Sequence, residues 1–410
     1  MKNPNLDMVD NFGDAEEKLH AQKHEVVFCE VFLTGKSAFE LYKIYREKHP
    51  GRLQGIFVIV ADQVTDALIS QCAEEEVDAL IGKPFTYADL EKRLKEALTP
   101  KISPSPLDLA IDQIYFQMAS GKLEEAKAQG EKIQTLLKTQ PSPKHRAIVA
   151  SQMADLLPKL DQPDEALRTL DSALSEIPDS FMLLSKSLDL CLKRQDYKGA
   201  YPKASRLASK FPVSPKRIPD FVGLSIRTKN FSDLHQYYQV FQSLAPSEVS
   251  PETALSVAAG VVVYSKFCLR HPESLPAGVS LPQLLKTAQN FARDRAVIWR
   301  EILNVWLEMK AAAESESCLK LVPESLREQE EFRVLELQIS ALTSPPGDTL
   351  KLGMDLLQQK IRSLPLYRLL LKKSLETGRK PEAITELLDR AIADFPESES
   401  ELRGALSSGS

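Results

Sequence analysis

The chain has 410 residues, 57 Asp and Glu against 52 Lys and Arg, and a formal net charge of −5. That balance excludes a basic nucleic-acid binder as the default reading, and 43% apolar with 27% charged residues is ordinary for a folded, water-facing protein. Aromatics at 7%, only 16 glycines and abundant Leu, Ala, Lys and Glu favour helices over an all-β fold. In chain order, the polar and acidic N-terminus does not read as a signal peptide. An amphipathic helix is expected over Ala15–Gln22. A strand follows over Glu25–Glu30 (EVVFCE), then a helix over Ala38–Glu47, and a second strand over Ile56–Ala61 (IFVIVA). Both strands are short, β-branched and apolar on both faces, which suits buried parallel strands. A helix over Thr65–Glu75 comes next. A weaker strand, Ala79–Ile81, is stopped by Gly82-Lys83-Pro84, and Tyr87–Ala97 is again helical. Alternating strands and helices imply βα units around a parallel sheet.

Residues 1–98 hold 12 Lys and Arg against 18 Asp and Glu, so the acidity belongs to this first domain. Residues 99–106 carry three prolines and are expected to form an extended Pro/Ser linker. From Leu107 to about residue 400 only helical patterns appear, and residues 401–410 read as a flexible tail.

The helical part has a measurable period. Pro178, Pro212 and Pro246 are 34 residues apart, as are Ala166, Ala200 and Leu234, with Ala173 lying between Ala166 and Pro178. This spacing resembles the tetratricopeptide repeat, two antiparallel helices per unit with small residues where the helices meet and a proline after the second. The register gives units at 147–180, 181–214 and 215–248. An earlier unit, 107–140, carries Ala126, and a terminal one carries Ala383 and Pro396. Between about 250 and 370 the period fades. The resemblance implies a superhelix of paired helices that binds other proteins.

The first domain resembles the receiver domain of response regulators, on three stretches: VVFCEVFLTGKSAFEL (26–41), Ile56–Asp62 and IGKPFTYADL (81–90). The fold implied is flavodoxin-like α/β. By this resemblance Glu30 occupies the phosphoacceptor position, Val60 the Ser/Thr position and Leu80 the switch aromatic, while Lys83 alone is retained and Pro84 is a candidate for a cis peptide. The carboxylates that would hold a metal are missing. Glu30 with Lys83 reads as a residual ion pair, in preference to a permanent mimic of the phosphorylated state. The resemblance also makes Leu6–Asp10 the second strand and leaves no first strand, so one side of Val26–Cys29 is expected to be unpaired. Three outcomes stay open: Leu6–Asp10 pairs there directly, another chain donates a strand, or a longer native chain supplies it, which is the reading preferred.

Other candidates are weaker. Gly35-Lys36-Ser37 lacks the remainder of a phosphate-binding loop. His20, His24 and His49 are expected at the surface, and His145, His235 and His271 isolated on the repeat helices. Glu74-Glu75-Glu76 reads as a solvated acidic face. Asp155 and Asp189 argue against a groove built to clamp a peptide carboxylate. Cys29, Cys72, Cys191, Cys268 and Cys318 form no C-x-x-C pair and are expected as buried thiols. The apolar stretch Ala254–Tyr264 is too short to span a membrane.

The resulting expectation is a bacterial, cytoplasmic, phosphorylation-independent signalling adaptor with no enzymatic activity, cofactor, metal, nucleic-acid partner or membrane insertion. Its partner would be a protein, such as a histidine kinase or another response regulator. The alternatives are a phosphorylatable regulator represented by a truncated chain, and a structural scaffold of a secretion or pilus system.

Overall fold

The strand-forming segments do what their apolar faces require. In the computed structural model, which describes residues 6–34, 36–244 and 249–407, the strands are β1 (Val26–Glu30), β2 (Phe32–Leu33), β3 (Lys36–Ser37), β4 (Ile56–Ala61) and β5 (Ala79–Gly82). β1, β4 and β5 form a parallel sheet in the order β1-β4-β5, with Val26 opposite Ile56 and Val58 opposite Ala79. β2 and β3 make a small hairpin beyond the end of β1. Every residue of the central β4 is buried, as a two-faced apolar run should be.

Helix α1 (Phe12–Ala21) precedes β1, α2 (Ala38–Lys48) follows the β2–β3 hairpin, α3 (Asp66–Glu74) follows β4, and α4 (Tyr87–Ile102) closes the module after β5. One sheet face packs Cys29, Phe57 and Ile59 against Phe12, Leu19, Leu41 and Tyr45. The other packs Ile56, Val58 and Ile81 against Leu90, Leu94 and Leu98 of α4. Thr65 and Thr86 supply N-caps for α3 and α4, the second as a capping box with Asp89.

Three sequence expectations change here. Leu6–Asp10 forms no strand: Leu6 and Met8 are 79% and 85% exposed. The segment is held instead by Asp7, which meets Lys18 at 3.2 Å and His24 at 3.1 Å. Residues 99–106 are not an extended spacer. α4 continues through Pro100 to Ile102, anchored by Lys101, whose ammonium meets Asp78 Oδ1 and the Gly55 carbonyl, both at 2.5 Å. Ser105 then caps α5 (Pro106–Ala119) with Pro106 at its first turn.

His49 is buried rather than at the surface. Its ring stacks on Tyr45 with centroids 4.4 Å apart, Nε2 donates to the His24 carbonyl at 2.7 Å, and Nδ1 has no partner. Burial therefore holds its pKa below the usual histidine value. Between that lowered value and about 6.5 the unfolded chain takes up a proton that the folded chain refuses, so stability falls as pH drops through this window. The urea midpoint at pH 5.5 should lie below that at pH 7.5, and His49→Gln should flatten the difference. An unchanged pH slope in that variant would remove His49 as the cause.

The chain divides into two units, residues 1–229 with 240–249, and 230–239 with 250–410. The first adds three helix pairs to the α/β module: α5 with α6 (Leu123–Thr139), α7 (Pro143–Leu156) with α8 (Pro163–Glu176), and α9 (Phe181–Lys193) with α10 (Tyr197–Lys210). α11 (Ile218–Arg227) follows, and α12 (Asp233–Ser243) has residues in both units. The 34-residue period marks the second helices. Ala166, Ala200 and Leu234 are 0%, 0% and 2% exposed, and Pro178 and Pro212 come just after the C-caps of α8 and α10, Ile177 and Phe211. Pro246 lies outside the described residues. Ala126 is fully buried in α6 but breaks the spacing, because α6 has 17 residues against 14 in α8 and a 3-10 turn, Leu157–Leu160, separates α7 from α8.

The second unit is also paired helices, including the stretch where the period fades. α13 (Pro251–Arg270) packs on α14 (Leu281–Ala292) and α15 (Ala296–Glu308) on α16 (Ala312–Leu321). After α17 (Glu324–Arg327), α18 (Glu330–Ser340) packs on α19 (Pro346–Gln358), and α20 (Leu364–Glu376) on α21 (Pro381–Asp394). Ala383 is half-buried in α21, and Pro396 opens the turn after it. α13 has the length and apolarity of a membrane span, and its apolar residues Val257, Val261 and Val262 are buried in this unit. The expected flexible tail begins as helix α22 (Glu399–Ser407), with Leu402 fully buried. All five cysteines are buried and unpaired, and burial raises each thiol pKa, to about 12 for Cys29, Cys72 and Cys318.

Candidate functional site

Parallel strands bring their C-terminal ends to one rim, and the positions singled out in the sequence gather there. Glu30 closes β1, Asp62 follows β4, and Lys83 follows β5. The Lys83 ammonium bonds the Glu30 carboxylate and lies 3.2 Å from Asp62 Oδ1. Both contacts raise the lysine pKa, the Glu30 bond foremost. The Lys83–Pro84 peptide is cis. Val60 is buried within β4 and offers no donor at the rim, and Leu80 is half-buried in β5. Asp62, which sequence reasoning assigned only to a strand end, is thus the third member. Among the described residues, no group of three or more His, Cys, Asp or Glu converges as metal ligands.

A second constellation joins the α/β module to the first helices of the repeat pairs. At one end, the Gly51–Leu53 loop sits on α5. Asp112 Oδ1 accepts from the backbone N–H of Arg52 at 2.5 Å and of Leu53 at 3.2 Å. A Cβ on Gly51 would come within 2.6 Å of both Asp112 and Phe116, so a larger residue would have to displace these side chains. The Arg52 guanidinium pairs with Glu76, donates to Tyr42 Oη at 2.8 Å and covers the Tyr115 ring at 5.7 Å.

At the other end Arg217, with its side chain 8% exposed, donates through Nε to Glu74 Oε1 at 2.7 Å. Its remaining nitrogens bond Ser185 Oγ at 2.5 Å and both oxygens of Asp189. Burial disfavours its charge, but the bonds to Asp189 and the field of Glu74 outweigh this and hold the guanidinium protonated. Ser214 Oγ donates to Glu74 at 2.8 Å, Lys216 meets Glu75 at 2.7 Å, and Ser70 Oγ donates to the Pro212 carbonyl at 2.7 Å.

The triplet Glu74-Glu75-Glu76 is therefore no solvated face: each carboxylate has a cationic partner, and the Glu74 side chain is 5% exposed. Asp155 and Asp189 are engaged as well, Asp155 with Lys186 at 2.7 Å and Asp189 with Arg217. These two aspartates also line a groove of about 530 Å³, with Tyr115, Met118, Pro158 and Leu190 as its apolar part and Lys159, Lys186 and Lys193 beside them.

His145 is not isolated either. Nδ1 contacts Ser142 Oγ at 2.7 Å and Nε2 contacts Asp108 Oδ1 at 3.0 Å. Ser142 stands at the α7 N-terminus, and the other Asp108 oxygen completes the capping box of α5. The chain of bonds therefore ties two helix starts together. The Ser-x-x-His spacing could have pointed to Ser142; Asp108 lies 37 residues upstream and left no local signal.

No protein-family model matches the chain, and no curated protein does. Solved structures with related helix arrangements include a chain from the structure of Naa15/Naa10 bound to HypK-THB, 13% identical with a TM-score of 0.46, matched over 71% of this chain and 42% of that one. This chain thus spans less than half of that protein. A tetratricopeptide repeat protein from Parabacteroides merdae is 13% identical over 70% of this chain and 98% of its own, with a TM-score of 0.32. Pseudomonas aeruginosa pilF is 12% identical over 63% and 94%, with a TM-score of 0.23. Likenesses this loose carry no weight, and the repeat assignment rests on the helix pairs and their spacing.

Proposed function

We propose that the chain is a phosphorylation-independent cytoplasmic signalling adaptor. Its helical repeats bind another protein, and its α/β module is a receiver-like domain without phosphoryl chemistry. The observation that carries this reading is the strand rim, where Lys83 is held by Glu30 and Asp62 beside an apolar Val60. Phosphoryl transfer requires an acceptor carboxylate, a metal held by further hard oxygens, and donors for the transferred group. A glutamate engaged by Lys83 stands where the acceptor is required, and with valine at the donor position one donor is missing. The groove beside the first helices, part apolar and lined by both lysines and aspartates, supports the binding half of the proposal. A histidine kinase or another response regulator is the partner class that a receiver-like module would serve.

Incubation with acetyl phosphate and magnesium, followed by intact mass, should leave the protein unmodified. A stoichiometric phosphoryl adduct lost on Glu30→Gln would overturn the proposal.

A further inference from the structure

We propose that the outer edge of β1 is a docking site for an extended, apolar, Lys/Arg-flanked strand from another protein. Among the described residues β1 pairs with β4 alone. The Ile56 N–H bonds the Glu25 carbonyl and the Val31 N–H bonds the Val60 carbonyl. In a parallel ladder alternate residues serve one neighbour, so the odd-numbered residues face β4. The N–H and C=O groups of Val26 and Phe28 then point away from the sheet.

Their side chains are as open as their main chains. Val26 and Phe28 share the sheet face of Ile56 and Val58, which α4 covers, yet they remain 46% and 49% exposed. The opposite edge differs: β5 has only four residues, and none of its side chains is exposed. A strand with apolar side chains on the α4 side would complete two main-chain pairings and cover both residues, which is how edge strands recruit partners.

Charge selects the occupant. Residues 6–37, which contain β1 and the segments before and after it, carry seven carboxylates against three lysines; setting aside Asp7 and Glu30, which Lys18, His24 and Lys83 engage, leaves Asp10, Asp14, Glu16, Glu17 and Glu25 against Lys23 and Lys36. A second copy would bring the same excess to the same edge, so self-pairing is opposed, whereas basic flanks are drawn in.

The probe is the peptide acetyl-KKVTVTVKK-amide, added to the full chain and read by hydrogen exchange at single-amide resolution. At ten times its Kd, exchange at Val26 and Phe28 should slow about tenfold, with Val27 and Cys29 unchanged. The same peptide N-methylated along its centre should give no protection, which tests the site without altering the protein. Phe28→Asp should weaken binding while leaving the helical signal intact. The proposal fails if Val26 and Phe28 gain no protection, or if a Glu-flanked peptide protects them equally. It fails also if both amides are already slow in the free chain: concentration-dependent slowing would mean that a second copy covers the edge, and concentration-independent slowing that the chain covers it itself.

Discussion

Arg217→Ala should destabilise the first unit by about 3–5 kcal/mol, the usual result of removing one partner from a buried ion pair. The loss is large because three groups depend on the guanidinium. Glu74 is buried and would keep only the Ser214 hydroxyl, while Ser185 and Asp189 would lose their shared donor. Urea unfolding followed by far-ultraviolet circular dichroism should show an early transition for this unit. Because most of the loss comes from the stranded Glu74 carboxylate, adding Glu74→Gln to Arg217→Ala should restore part of it. A double variant as unstable as the sum of the singles would show that the two residues act independently.

Trp306→Ala should have an effect of similar size in the second unit, about 3–5 kcal/mol. Trp306 lies on α15, is 1% exposed, and heads the fully buried side chains by volume. Trp306→Phe should cost much less than this. The indole N–H has no hydrogen-bond partner among the described residues, so the phenyl ring removes a buried donor that the core leaves unsatisfied. Thermal unfolding of both variants checks the order, and equal losses would place the indole nitrogen in a contact that matters.

What could be read from the sequence followed local periodicity. IFVIVA is apolar on both faces because β4 is covered on both, and β4 begins and ends where the run does. The 34-residue period was visible because Ala166 and Ala200 sit where two helices meet, leaving no room for larger side chains. The rim residues Glu30 and Lys83 were legible because strand ends converge in a parallel sheet. Contacts between distant segments left no such signal. An acidic triplet looks solvated unless one knows that Arg52, Lys216 and Arg217 face it, two of them about 140 residues downstream. The proline-rich 99–106 stretch was misread for a related reason. Pro100 sits inside α4, and Lys101 beyond it bonds Asp78 and Gly55; Pro106 starts a helix rather than preventing one. Leu6–Asp10 was misread in the opposite direction, since its apolar residues find nothing to cover them.

Between α4 and α5 lie only Ser103, Pro104 and Ser105. Fully stretched, three residues reach about 10 Å. The α/β module is thus a ligand that cannot diffuse away from the helices it touches. Its effective concentration at that face is in the millimolar range typical of short tethers. High salt would weaken the more exposed Lys216–Glu75 pair, and the buried Arg217–Glu74 pair far less, without releasing the module. A protein competing for the same helix face would have to outbind a neighbour that is always present.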